Sequence, residues 1–159
     1  MEKELQDFFR KYGTQTTTNC DLIEIAKKEG IKPFYYVMRD EVFTLPKTKT
    51  GQLKPSHGQR PEEMKLYVCT NLHTSKEPGI HHSCFVLDFE NPDNNVYFDS
   101  YGLPPTEEVK KLLKHGTHNT FQLQKLGERY CGQLCLFVLK KLSENVPFEE
   151  LILVLTHGN

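Results

Sequence analysis

The chain has no tryptophan, no excess of either charge and no long apolar run. Its 20 basic residues balance 21 acidic ones to a net charge of −1. Such a balance argues against a general nucleic-acid or membrane-surface binder. No stretch approaches the roughly 18 consecutive apolar residues of a membrane span. The N-terminal "MEKELQDFFRKYG" is charged and amphipathic, without the apolar core of a signal peptide, so a cytosolic or nuclear setting is the expectation. Cysteine is present but unevenly countable: Cys20, Cys69, Cys84, Cys131 and Cys135 make five. An odd number without a signal peptide argues against a disulfide framework. There is no CxxC and no HxxxH, and Cys131 and Cys135 stand four apart. Structural zinc sites show tighter spacing, so no metal is expected.

What is present suits one soluble domain. The 159 residues, 37% of them hydrophobic, are enough to bury a sizeable core. Helical spacing appears in "KELQDFFRKYG", stopped by Gly13, and in "LIEIAKKEG", which Asp21 can cap and Gly30 can end. "KPFYYVMRDEVF" reads as a strand and a turn. "KLYVCTNL", "HSCFVLDF" and "NVYFDSYG" read as strands, the last two forming a hairpin over 83–98 around "ENPDNN". "PPTEEVKKLLKHG" is a helix with acids in its first turn and bases in its last, "NTFQLQKL" a short strand, and "CGQLCLFVLKKLSE" and "PFEELILVL" two further helices. Residues 46–64, rich in Pro, Gly and Lys, read as a surface loop or insertion. Strands in the middle with helices at both ends make an α+β pattern in a single domain, 1–159.

Cys131 opens a predicted helix over 131–142. Unpaired N–H groups and the helix dipole stabilise a thiolate there. Cys135, between Leu134 and Leu136, reads as packing. A thiol nucleophile needs a base, and the base an orienting group. His81 and His82 enter one strand of the hairpin and Asp99 leaves the other, so an imidazole and the carboxylate should meet at one end of the sheet. Strand alternation puts the two histidines on opposite faces, so only one can point at Cys131. Gln124, seven residues before Cys131, can donate to a developing oxyanion together with the Cys131 N–H. His115 and His118, after a helix, read as solvated.

The ordered set "G-x-H … FDSYG … Q-x6-CG" resembles the adenain-type cysteine proteases of adenoviruses and related DNA viruses and elements, which share a fold with the SUMO proteases. "YFDSYGLPP" and "CGQLCLFVLKKLS" are especially similar to small viral and transposon-encoded members, and the resemblance spans Asp21 to Leu155. It implies an α+β, papain-like fold with a mostly antiparallel central sheet and the nucleophile at a helix N-terminus. It implies His81 as general base, Asp99 as orienter, Gln124 as oxyanion donor and Cys131 as nucleophile. The implied activity is that of an endopeptidase cleaving viral structural or core precursors, through a thioester intermediate, often at Gly-Gly-type sites. The implied setting is a host nucleus or cytoplasm, or the virion. No cofactor is required for that chemistry. Some relatives are activated by a peptide or nucleic acid, but the neutral charge makes strong DNA binding unexpected. The chain departs from the family at His82, where a Trp is usual. Two alternatives stand beside this reading: an isopeptidase for ubiquitin-like modifiers, and a protease-fold binding protein without turnover.

Overall fold

A computed structural model describes residues 1–45, 65–73, 81–123 and 130–157. The expected loop 46–64 lies outside them. Two N-terminal helices, α1 (Glu2–Tyr12) and α2 (Asn19–Lys28), precede strand β1 (Phe34–Met38) and a 3-10 turn over Arg39–Thr44. Strands β2 (Lys65–Asn71), β3 (His82–Asp88) and β4 (Val96–Asp99) follow, then α3 (Glu107–Leu113), a two-residue β5 (Thr117–His118), α4 (Cys131–Ser143) and α5 (Phe148–His157).

The sheet runs in the order β1-β2-β3-β4-β5. Its centre is antiparallel, β2 against β3 and β3 against β4, while β1 and β5 join the edges in parallel. All seven residues of β3 are buried, as they must be in a strand covered on both faces. The pleat sorts them. Cys84 and Val86 join Cys69, Phe98, Leu22, Phe137 and Leu151 in a core under the helices. Phe85 and Leu87 turn the other way, to Val42, Leu66, Tyr97, Val109 and Leu113. Each such aliphatic or aromatic side chain withdrawn from water stabilises the fold by about 1.5–3 kcal/mol.

Helix α4 is the central pillar. Ten of its thirteen residues are buried, and Cys135, Leu136, Val138 and Leu139 are inaccessible to solvent. Cys135 is therefore a packing residue, as its apolar neighbours implied. Gly132 leaves room for close approach, but the neighbour is the chain itself: a Cβ there would run into Thr17 and Leu22. The Gln133 amide donates to the Gln15 carbonyl at 2.7 Å and ties the same segment down. So the start of α4 is pinned by the turn before α2.

Two details differ from the sequence reading. Asp21 is not the N-cap of α2. Thr18 is, and Asp21 is the third helical residue of a capping box, accepting the Thr18 N–H at 2.9 Å while its own N–H reaches the Thr18 hydroxyl at 3.1 Å. "NTFQLQKL" is not a described strand: β5 ends at His118, before it, and Phe121 is 61% exposed. Asn119 instead turns inward to hold β4. Among the described residues no helix is long and apolar enough to cross a membrane.

Replacing Thr18 by alanine removes one half of the capping box. It should cost about 1 kcal/mol, read as a lower denaturant midpoint with an unchanged slope.

Candidate active site

The hairpin brings the start of β3 beside the end of β4. Ser83 of β3 pairs with Asp99 of β4, so His81, two residues before Ser83, lies beside the end of β4. The His81 Nε2 donates to Asp99 Oδ1 at 3.0 Å. Both side chains are buried, Asp99 completely. In that tautomer the proton sits on Nε2 and the Nδ1 lone pair is free to take another. Nδ1 is itself buried and makes no direct hydrogen bond among the described residues. The ring stacks flat on Tyr101, with centroids 4.3 Å apart and planes 8° from parallel.

Asp99 is held by more than the hairpin. Its Oδ1 also accepts the Tyr101 N–H at 2.7 Å. Its backbone is clamped by Asn119, whose Oδ1 accepts the Asp99 N–H at 2.9 Å and whose amide donates to the Asp99 carbonyl at 2.7 Å and the Phe121 carbonyl at 3.1 Å. The turn beyond needs glycine. Gly102 has φ +73°, and a Cβ there would stand 2.9 Å from the backbone of Thr120 and Phe121.

Cys131 is the first residue of α4, buried at 8% exposure, with Tyr130 as a cap that offers no side-chain bond. Its sulfur lies 3.9 Å from His82 Nδ1. The other face of the His82 ring meets Tyr36, whose hydroxyl is 2.9 Å from Nε2. Burial works against charge on the Cys131 thiol. The nearby His81 ring, the His82 ring and the His82 amide overturn that and bring its pKa down to about 6. Burial likewise works against charge on His81, but the bond to Asp99 and the nearby Cys131 thiolate raise its pKa to about 9. Between these limits the pair is a thiolate beside an imidazolium, titrating as a unit. Burial pushes the thiols of Cys69 and Cys135 the other way, well above the usual value.

His81 and Asp99 thus meet as the hairpin argument expects, and the Cys131 sulfur lies against His82. The expectation that only one histidine can point at Cys131 does not hold, since both rings act on its sulfur. The reason is local: His81 precedes β3, whose first residue is His82, so the strict alternation of a strand does not bind the pair. Gln124 lies outside the described residues. His118 and His115 are exposed. Among the described residues no group of three or more His, Cys, Asp or Glu side chains is arranged to hold a metal ion. Sequence reasoning missed Asn119, Tyr101, Tyr36 and Asn71. The signal for Asn119 was a polar residue alternating wrongly in a supposed strand; the others carried none.

The fold has solved counterparts. Two crystal structures of the ASFV pS273R protease, one in selenomethionine form, match with TM-scores of 0.56 and 0.55 at 16% sequence identity. The matches cover 84% of this chain and 60% of those chains. This chain therefore shares the fold of SUMO-protease-like cysteine proteases and spans about three-fifths of the length of these neighbours. No protein-family model matches the sequence, and no curated protein does.

Two outcomes follow. Asn119→Ala strands the buried Asp99 N–H and removes one donor from the Asp99 carbonyl, which the Gly102 N–H still serves; the lost N–H partner costs about 1–3 kcal/mol unless water rescues it, and thermal unfolding measures it. Alkylation of Cys131, followed by mass spectrometry across pH 4–10, should show a reactivity midpoint near 6, with Cys69 and Cys135 inert until unfolding.

Proposed function

We propose that this chain is a cysteine endopeptidase, with Cys131 as nucleophile, His81 as its acid–base partner and Asp99 as the orienting carboxylate. The observation that carries the reading is the buried His81–Asp99 hydrogen bond beside a thiol at a helix N-terminus. The shared fold with a viral protease supports it. At neutral pH the thiolate attacks a peptide carbonyl. His81, carrying the proton on Nδ1, passes it to the leaving amine as the thioester forms. His81 then takes a proton from water, and the resulting hydroxide equivalent opens the thioester and frees Cys131. The Cys131 N–H, at the open start of α4, and the Gln124 amide are the oxyanion donors. The resemblance of the sequence to adenain-type enzymes points to viral or element-encoded precursors as substrates, cut where small residues fit a narrow groove.

Purified chain incubated with a peptide library, the products read by mass spectrometry, tests this. Cys131→Ala should abolish cleavage, Asp99→Asn should lower kcat by several orders of magnitude, and Cys135→Ala should keep most of it if the core tolerates the cavity. A dead Cys135→Ser variant with a live Cys131→Ser variant would sink the assignment. Cleavage of a folded ubiquitin-like fusion but of no peptide would move the substrate to the modifier class. The rate should rise as pH climbs through about 6, where Cys131 loses its proton, and fall above about 9, where His81 loses its own.

A further inference from the structure

His82 stands where the resembled family carries a ring with no lone pair to offer, and it is 6% exposed against the sulfur. Its surroundings decide which nitrogen holds its proton. The His73 N–H donates to Asn71 Oδ1 at 2.9 Å, which orients the Asn71 amide. The Asn71 NH2 group therefore faces the Tyr36 hydroxyl at 3.4 Å and His82 Nε2 at 3.5 Å. An NH2 group only donates, so the Tyr36 oxygen accepts from it and turns its own hydrogen to His82 Nε2, 2.9 Å away. Tyr36 keeps that hydrogen, because burial raises its pKa to about 12. Two donors at Nε2 leave the proton of a neutral His82 on Nδ1, the atom 3.9 Å from Cys131 Sγ.

We propose that His82 is a second imidazole of the catalytic centre, an Nδ1–H donor held by Tyr36 and Asn71 that stabilises the Cys131 thiolate while His81 moves the proton. The assignment rests on the peptidase reading for its catalytic meaning, but its effect on the thiol stands without turnover. His82 needs no change in its own proton count: it donates to the thiolate of the resting pair, and its bond lengthens when the sulfur becomes neutral in the thioester. The ionisable groups facing this sulfur are His81 with Asp99 from the hairpin, His82 and Tyr36 from the sheet, Cys69 on β2 and Cys135 one turn along α4. Both of those thiols are held neutral by burial, which leaves the two histidines to set the charge on Cys131.

The test is the pH midpoint of Cys131 alkylation by iodoacetamide in the full chain. The midpoint is read, and not the absolute rate, because a more basic thiolate is also intrinsically more nucleophilic. His82→Phe keeps a ring and loses the donor; the midpoint should climb from about 6 toward the free-thiol value of about 8.5. His82→Asn, which can place an N–H near the lost one, should restore most of the shift. Tyr36→Phe frees the tautomer and should move the midpoint part of the way. If His82→Phe misfolds by circular dichroism, the Asn and Tyr36 variants still read the same donor. A wild-type midpoint above 8, or His82→Phe and Tyr36→Phe both titrating like the wild type, would overturn the proposal. Loss of cleavage in His81→Ala with retention in His82→Asn is the expected division of roles, and the reverse result also overturns it. A wild-type midpoint near 6 with no cleavage of any peptide would instead remove the peptidase reading and leave the role of His82 intact.

Discussion

A carboxylate with no access to water is the constraint on which the site depends. Asp99 is fully buried, and burying a lone carboxylate is costly unless partners surround it. Among the described residues the carboxylate has two, both at Oδ1: His81 before β3 and the Tyr101 amide in the following turn; Asn119 after β5 clamps the Asp99 backbone instead. Each is brought by the sheet, so the order β3-β4-β5 is also a list of what holds Asp99. The direction of His81 is a by-product of satisfying Asp99. Once Nε2–H is committed to the carboxylate, the ring can offer only Nδ1 to the sulfur.

The sulfur reaches that place from the opposite side of the core. Helix α4 is buried along nearly its whole length, and Gly132 and Gln133 lock its first turn against the segment before α2. Hairpin and helix are separate elements that meet only because the hydrophobic faces of β3 and α4 pack together. A local change in either would move one half of the pair against the other by fractions of an ångström, a scale on which proton transfer is sensitive.

Part of this was legible in the chain. The hairpin from 83 to 98 announced itself by two β-rich runs around "ENPDNN", and with it came the meeting of His81 and Asp99. Cys131 was legible because a helical apolar pattern begins there. Tyr36 and Asn71 were not, because β1 and β2 pair in parallel across a long intervening segment, and no local pattern encodes that register. Asn119 hid in a run that resembled a strand, marked only by a polar side chain in step with Phe121 and Leu123. The alternation rule misjudged His81 and His82 because it was applied one residue beyond the strand it governs. The cap of α2 was misread by three positions, as both members of a capping box are good N-caps.

The burial of α4 has a consequence for motion. Segments with few buried contacts open by themselves, whereas those packed through the core exchange their amide hydrogens only when the molecule unfolds as a whole. Cys131 is carried by a segment of the second kind. Its position is thus tied to the cooperative stability of the domain. The same coupling means that any substitution in the core, however far from Cys131, draws on the reserve that keeps the pair aligned.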